Sequence, residues 1–184
     1  MTRILAGQAG GRRIAVPPRG TRPTSERVRE AVFSALEARM DLDGARVLDL
    51  YAGSGAMGLE ALSRGAGHAR FVESDRRAVE VLRRNVAELG LSGVEVTVGA
   101  VEAVLRTSSR EPYDLVLADP PYALGGTELT GVLAALLAGG WLVPGALMVV
   151  ERSAHSAGLR WPTGVVTISQ RRYGDTRVYY GSAP

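Results

Sequence analysis

The chain has 184 residues, 46% hydrophobic and 22% charged, with no cysteine and a net charge of +3. That length and balance predict one soluble domain with a sizeable core and, at most, a small appendage. The missing cysteines exclude disulfides, thiolate nucleophiles, zinc ribbons and iron–sulfur clusters, and the distant pair His68 and His155 offers no metal-ligand spacing, so no metal is expected.

The first 30 residues carry seven arginines against Glu26 and Glu30, a net +5, whereas the remaining 154 residues sum to −2. Such a basic front on a mildly acidic body points to a polyanionic partner, with a solvated surface as the plain alternative. No apolar leader opens the chain, so a cytoplasmic protein is expected. Ile4-Leu5 and Ile14–Val16 read as short strands around a Gly10-Gly11 turn, and Pro17–Gly20 breaks structure. Thr24-Ser25-Glu26 reads as a helix start, followed by the stripe Val28, Ala31, Val32, Ala35 and Leu36.

From residue 46 strands alternate with helices. Strands are predicted at Arg46–Leu50, Ala69–Glu73, Val94–Val98, Tyr113–Ala118 and Ala146–Glu151, with a helix at Arg76–Leu89. Val165–Gln170 and Val178–Gly181 are predicted to close the sheet as a hairpin hinged at Gly174-Asp175. The pattern predicts a mostly parallel sheet covered on both faces. The uncharged run Leu129–Val150 is long enough for a bilayer, but Gly139-Gly140 and Pro144-Gly145 interrupt it. A buried helix, a turn and a core strand explain it better, so no membrane partner is expected.

Gly53-Ser54-Gly55-Ala56-Met57-Gly58 spells G-x-G-x-x-G between a strand and a helix, with Glu73 20 residues after Gly53. An NAD-dependent oxidoreductase satisfies that pattern, and so does an enzyme that binds S-adenosylmethionine. Asp49 separates the two readings. A carboxylate at the mouth of the loop repels a diphosphate and favours the ammonium end of a methionine moiety.

Asp119-Pro120-Pro121-Tyr122 follows the fourth parallel strand, at the sheet end where open parallel sheets bind ligands. A carboxylate and a carbonyl held in a stiff proline loop can accept both N–H bonds of a planar exocyclic amine. That pulls the nitrogen toward tetrahedral geometry and aims its lone pair at a methyl donor, while Tyr122 offers a stacking face. The loop alone fits guanine N2, adenine N6 or a glutamine amide. A non-catalytic RNA-binding module would need neither Asp119 nor Glu73.

The run Asp49–Gly65, the segment Arg22-Pro23-Thr24-x-x-x-Val28-Arg29-Glu30 and Asp119–Tyr122 together resemble the RsmD family of bacterial methyltransferases, over nearly the whole chain. The resemblance implies an α/β, Rossmann-like seven-stranded methyltransferase sheet, mostly parallel with one antiparallel strand, and a small N-terminal β-hairpin extension. It divides the chain into a basic extension at 1–22 and a methyltransferase domain at 23–184. It implies transfer of a methyl group from S-adenosylmethionine to the N2 amine of one guanine in small-subunit (16S) ribosomal RNA, either naked or within a partly assembled subunit. Asp119, Pro120, Pro121 and Tyr122 would then be catalytic. Asp49, Tyr51, Gly53, Gly55, Glu73, Ala100 and Asp119 would hold the cofactor. Arg3, Arg12, Arg13, Arg19, Arg22, Thr24, Arg27 and Arg29 would meet RNA. One departure stands out: where such enzymes usually place an Asp or Asn after the third strand to touch adenine, this chain has Gly99, leaving the backbone of Ala100 for that contact.

Overall fold

In a computed structural model, residues 1–17 and 25–184 are described. The elements run β1 (Thr2–Arg3), β2 (Arg13–Ile14), α1 (Glu26–Glu37), β3 (Arg46–Leu50), α2 (Ala56–Ser63), β4 (His68–Glu73), α3 (Arg76–Leu89), β5 (Val94–Val98), α4 (Val101–Leu105), β6 (Tyr113–Ala118), α5 (Gly126–Ala138), β7 (Leu142–Ser153), β8 (Val166–Tyr173) and β9 (Thr176–Ser182). β1 and β2 form a separate antiparallel pair, and the other strands form one seven-stranded sheet ordered β5-β4-β3-β6-β7-β9-β8. Five of these strands are parallel, and β9 runs against its neighbours β7 and β8.

The helices cover both faces, as alternation requires. On one face α1, α2, α3 and the N-terminal hairpin bury Val32, Phe33, Leu59 and Leu82 against Val47, Phe71 and Leu117. On the other, α4 and α5 bury Val101, Leu129 and Leu133 against Leu48, Val116 and Met148. Leu129–Val150 resolves into α5, a glycine turn and β7. Among the described residues no helix is long and apolar enough to cross a membrane.

Some boundaries differ from expectation. The hairpin pairs Thr2 with Ile14 and Arg3 with Arg13, and Ile4 and Ile14 bury their side chains. β7 begins before Pro144-Gly145, and its pairing with β6 jumps from Tyr113↔Leu142 to Leu115↔Leu147. A proline lacks the N–H for a regular ladder, so the strand bulges there instead of ending. The short helix α4 has no counterpart in the predicted elements.

The hairpin docks through polar side chains. Glu60 of α2, fully buried, accepts the backbone N–H groups of Leu5 (2.8 Å) and Ala6 (3.1 Å) and pairs with Arg64 at 2.8 Å and Arg29 at 3.6 Å. Ser63 Oγ accepts from Ala9 N–H and donates to the carbonyl of Ala6. Asn85 of α3 grips both backbone groups of Ala15 and donates to the carbonyl of Ser54 in the glycine loop.

Candidate active site

The chain leaves β3 toward β4 on one side and returns through β6 on the other, so a crevice opens at the carboxyl ends of β3 and β6. The glycine loop and Asp119–Tyr122 meet there. Tyr51 holds φ +59°, a left-handed conformation that costs a side-chain residue on the order of 1 kcal/mol, and its hydroxyl donates to Glu102 at 3.2 Å. Gly53 (φ +55°) faces open space, so nothing blocks a ligand from lying against its backbone. At Gly58 an added Cβ would lie 2.4 Å from the Phe71 ring; the absent side chain lets α2 rest directly on β4.

Carboxylates organise the mouth. Asp49 is buried, and its Oδ2 accepts the Gly58 N–H at 2.9 Å in the first turn of α2. That helix N-terminus is the seat a diphosphate would take, and the protein fills it with its own acid. Glu73 Oε2 accepts the Gly53 N–H at 2.8 Å, and its Oε1 accepts the N–H groups of Ser74 and Asp75, both at 2.8 Å. Burial pushes the Asp49 carboxyl well above its ordinary 3.8, and the nearby charges of Asp119 and Glu73 push it further, against the Gly58 hydrogen bond. Three acids around one crevice favour a cation over NAD.

Two cavities flank the Asp-Pro-Pro-Tyr loop. One of about 200 Å³ is lined by Tyr51, Glu73, Gly99, Ala100, Pro121 and Leu124, among others. The second, about 150 Å³, is lined by Asp119, Tyr122, Ser25, Glu151, Arg152 and the β8–β9 turn at Tyr173–Thr176. Pro120 is buried and Tyr122 is 66% exposed. The Pro121 carbonyl already accepts the Leu124 N–H at 3.0 Å. Gly99 has no positive φ and its missing side chain has room, with Val104 Cγ2 at 3.6 Å the nearest atom, so neither backbone strain nor crowding requires glycine there.

The expected cofactor and catalytic residues thus converge, whereas the RNA set divides. Arg29 is fully buried on α1 against Glu60 and also donates to the Arg3 carbonyl, so it cannot meet RNA at the surface. Arg12, also exposed, caps the C-terminus of α3, donating to the carbonyls of Leu89 (2.8 Å) and Glu88. Arg3 pairs with Glu26 at 3.1 Å and remains exposed, as do Arg13 and Arg27. Arg19, Arg22 and Thr24 lie outside the described residues. The sequence reading missed Ser25, Glu151 and Tyr173–Thr176 as cavity walls; an acid directly ending the apolar run of β7, as Asp119 ends that of β6, was the available signal for Glu151.

Comparison with known proteins agrees with this geometry. The family model described as Conserved hypothetical protein 95 matches residues 2–182. The Ribosomal RNA small subunit methyltransferase D of Escherichia coli K12 is 41% identical over 155 residues, covering 84% of this chain and 76% of that protein. Its Haemophilus influenzae namesake is 33% identical over 81% of this chain and 77% of its own length. The solved structure of yhhF from Escherichia coli superposes with a TM-score of 0.88 at 32% identity, covering 99% of this chain and 97% of that one.

Proposed function

Because this chain belongs to the Conserved hypothetical protein 95 family, alongside the RsmD methyltransferases, we propose that it transfers a methyl group from S-adenosylmethionine to the N2 amine of one guanine in small-subunit ribosomal RNA, in the cytoplasm. The observation that carries the reading is the placement of Asp119–Tyr122 between two cavities, with Pro121 lining one and Asp119 and Tyr122 lining the other.

The residues present fit the cofactor. Asp49 supplies negative charge toward its ammonium end, and Asp119 faces the sulfonium charge, which S-adenosylhomocysteine lacks. The open backbone at Gly53 and the turn at Gly55 let the ligand approach, and Glu73 takes ribose hydroxyls with lone pairs its three backbone donors leave over. Tyr51 and the Ala100 backbone border the adenine. S-adenosylmethionine, when bound, supplies an electrophilic methyl on a sulfonium sulfur that keeps the bonding pair as the methyl leaves.

Asp119 and the Pro120 carbonyl accept the two N–H bonds of the guanine amine. This turns the lone pair toward the methyl the cofactor would supply, and the Asp119 carboxylate would take the amine proton released as the nitrogen displaces the sulfur. The Pro120-Pro121 pair fixes that geometry without internal motion, and Tyr122 stacks on the unstacked base. Arg3, Arg13 and Arg27, with Arg19 and Arg22, supply the phosphate-facing charge, and the Thr24 hydroxyl adds a hydrogen-bonding group. The basic segment 1–22 grips RNA while residues 23–184 carry the chemistry.

Radiolabelled methyl transfer offered in parallel to small-subunit ribosomal RNA or particles, to DNA and to protein tests this. Label is expected in the RNA, released as N2-methylguanosine on digestion. Label confined to DNA or to a glutamine amide would overturn the reading.

The raised Asp49 pKa gives a second expectation. A cationic ligand favours ionised Asp49, so binding releases a proton and tightens as pH rises through that raised pKa. Without ligand the sign reverses. Native Asp49 holds its proton above the ordinary 3.8, so its contribution to stability declines as pH rises from there through the native pKa. Calorimetric titration of S-adenosylmethionine in buffers of different ionisation enthalpy measures the proton release; its absence across that range would separate Asp49 from cofactor binding.

A further inference from the structure

A planar amine beside two acceptors does not by itself distinguish guanine from adenine, cytosine or glutamine. The second cavity contains a group that does. β6 and β7 are parallel with Ala118 opposite Val150, so Asp119 and Glu151 come next on neighbouring strands. Two residues earlier, Leu117 and Val149 both face the core beneath α1 and α2. Side chains alternate along a strand, so Asp119 and Glu151 project from that same face as lateral neighbours. Both line the cavity with Tyr122. Glu151 is only 5% exposed, and its charge reaches the buried guanidinium of Arg29.

We propose that Glu151 is the guanine-selecting residue of this site, accepting the N1–H of the target base while Asp119 and the Pro120 carbonyl hold its N2 amine. The inference rests on the methyltransferase reading above and deepens it. An ionised carboxylate is an acceptor only. Guanine places a second donor, N1–H, directly beside its amine. Adenine places the N1 lone pair beside its amine, cytosine places the N3 lone pair there, and a glutamine amide places a carbonyl oxygen. Each of those would set a lone pair against the buried carboxylate of Glu151, where an unmatched polar contact is costly. A site built to hydrogen-bond a donor rejects an analogue that lacks it far more strongly than a merely shaped pocket does.

The test uses RNA carrying the methyl-accepting nucleotide, mapped beforehand, as guanine or as 2-aminopurine, which keeps the C2 amine but has a bare N1. Single-turnover methyl transfer is measured for the wild type and for Glu151→Gln. The wild type is expected to prefer guanine by roughly 10- to 100-fold. In Glu151→Gln the guanine rate falls and the preference shrinks to within about 3-fold, because the amide can turn its NH₂ toward N1. Comparing the two enzymes cancels the intrinsic difference in reactivity between the bases. Affinity for S-adenosylhomocysteine stays unchanged, since Glu151 borders the other cavity.

Should the glutamine variant fail to fold, Glu151→Asp keeps the acceptor and is expected to be slower with the wild-type preference intact. A Glu151→Gln enzyme that retains the full guanine preference, an aspartate variant that loses it, or a wild type indifferent to the analogue overturns the assignment while leaving the activity standing. A wild type that labels no guanine in small-subunit RNA overturns the activity and the assignment together.

Discussion

Replacing Asp119 with alanine is expected to lower the single-turnover rate of methyl transfer by about 10³-fold while S-adenosylhomocysteine affinity stays within about 3-fold. The reason lies in where the side chain stands. Asp119 lines the substrate cavity with Tyr122, whereas the other cavity is bordered by Tyr51, Glu73, Gly99 and Ala100. Its loss removes an acceptor needed when the amine becomes pyramidal, a contact that strengthens in the transition state. Asp119→Asn keeps one acceptor oxygen on the same frame and is expected to fall less, by about 10- to 100-fold. The alanine variant also tests the coupling between the acids. Asp119 helps to raise the Asp49 pKa, so cofactor binding in Asp119→Ala should reach its high-pH limit at lower pH than in the wild type. Wild-type turnover by Asp119→Ala on small-subunit RNA would remove Asp119 from the chemistry.

The half of this site proposed for the cofactor was legible as a cluster because it is local. Asp49, Gly53, Gly55 and Gly58 lie within ten residues, and a strand, a tight turn and a helix leave that segment one geometry. Glu73 ends the adjacent strand at a spacing set by the length of one helix. Asp119–Tyr122 is local too. The cavity proposed for the base is not: Ser25, Glu151 and Tyr173–Thr176 come from three distant segments, the sheet order β6-β7-β9-β8 bringing the last two beside Asp119 and the N-terminus of α1 bringing Ser25. A single sequence specifies that each strand exists more readily than which neighbour it takes.

Arg29 was misread for a different reason. Charge counting treats every arginine as surface, yet Arg29 sits at helical spacing with Val32, Phe33 and Leu36, on the buried stripe. Its partner was also in view, since Glu60 lies inside α2, where every residue is buried. A cation and an anion each on an apolar face point to one another. The polar stitching of the hairpin by Ser63 and Asn85 left no such trace, because small polar residues serve caps and turns as readily as tertiary contacts.

That buried pair sets up the largest expected stability effect. Glu60→Ala is expected to lower unfolding stability by about 3–5 kcal/mol, because it strands Arg29 and two backbone N–H groups together. At roughly 2–4 °C per kcal/mol for a domain of this size, Tm should fall by about 6–20 °C. The carboxylate serves two ends: it neutralises Arg29 and Arg64, and it accepts from Leu5 and Ala6. Arg29→Met removes only the first, leaving Glu60 with Arg64 and both backbone donors, and should cost clearly less. The double variant Arg29→Met with Glu60→Met makes the interior more apolar but still orphans the Leu5 and Ala6 N–H groups, so it should not regain wild-type stability. Thermal and denaturant unfolding of the three variants rank the two roles. Equal losses for Glu60→Ala and Arg29→Met, with recovery in the double variant, would mean that the ion pair alone matters. The expected order means that Glu60 acts chiefly as the socket for the N-terminal hairpin, and through the hairpin and Arg29 holds α1, whose N-cap Ser25 walls the cavity for the base.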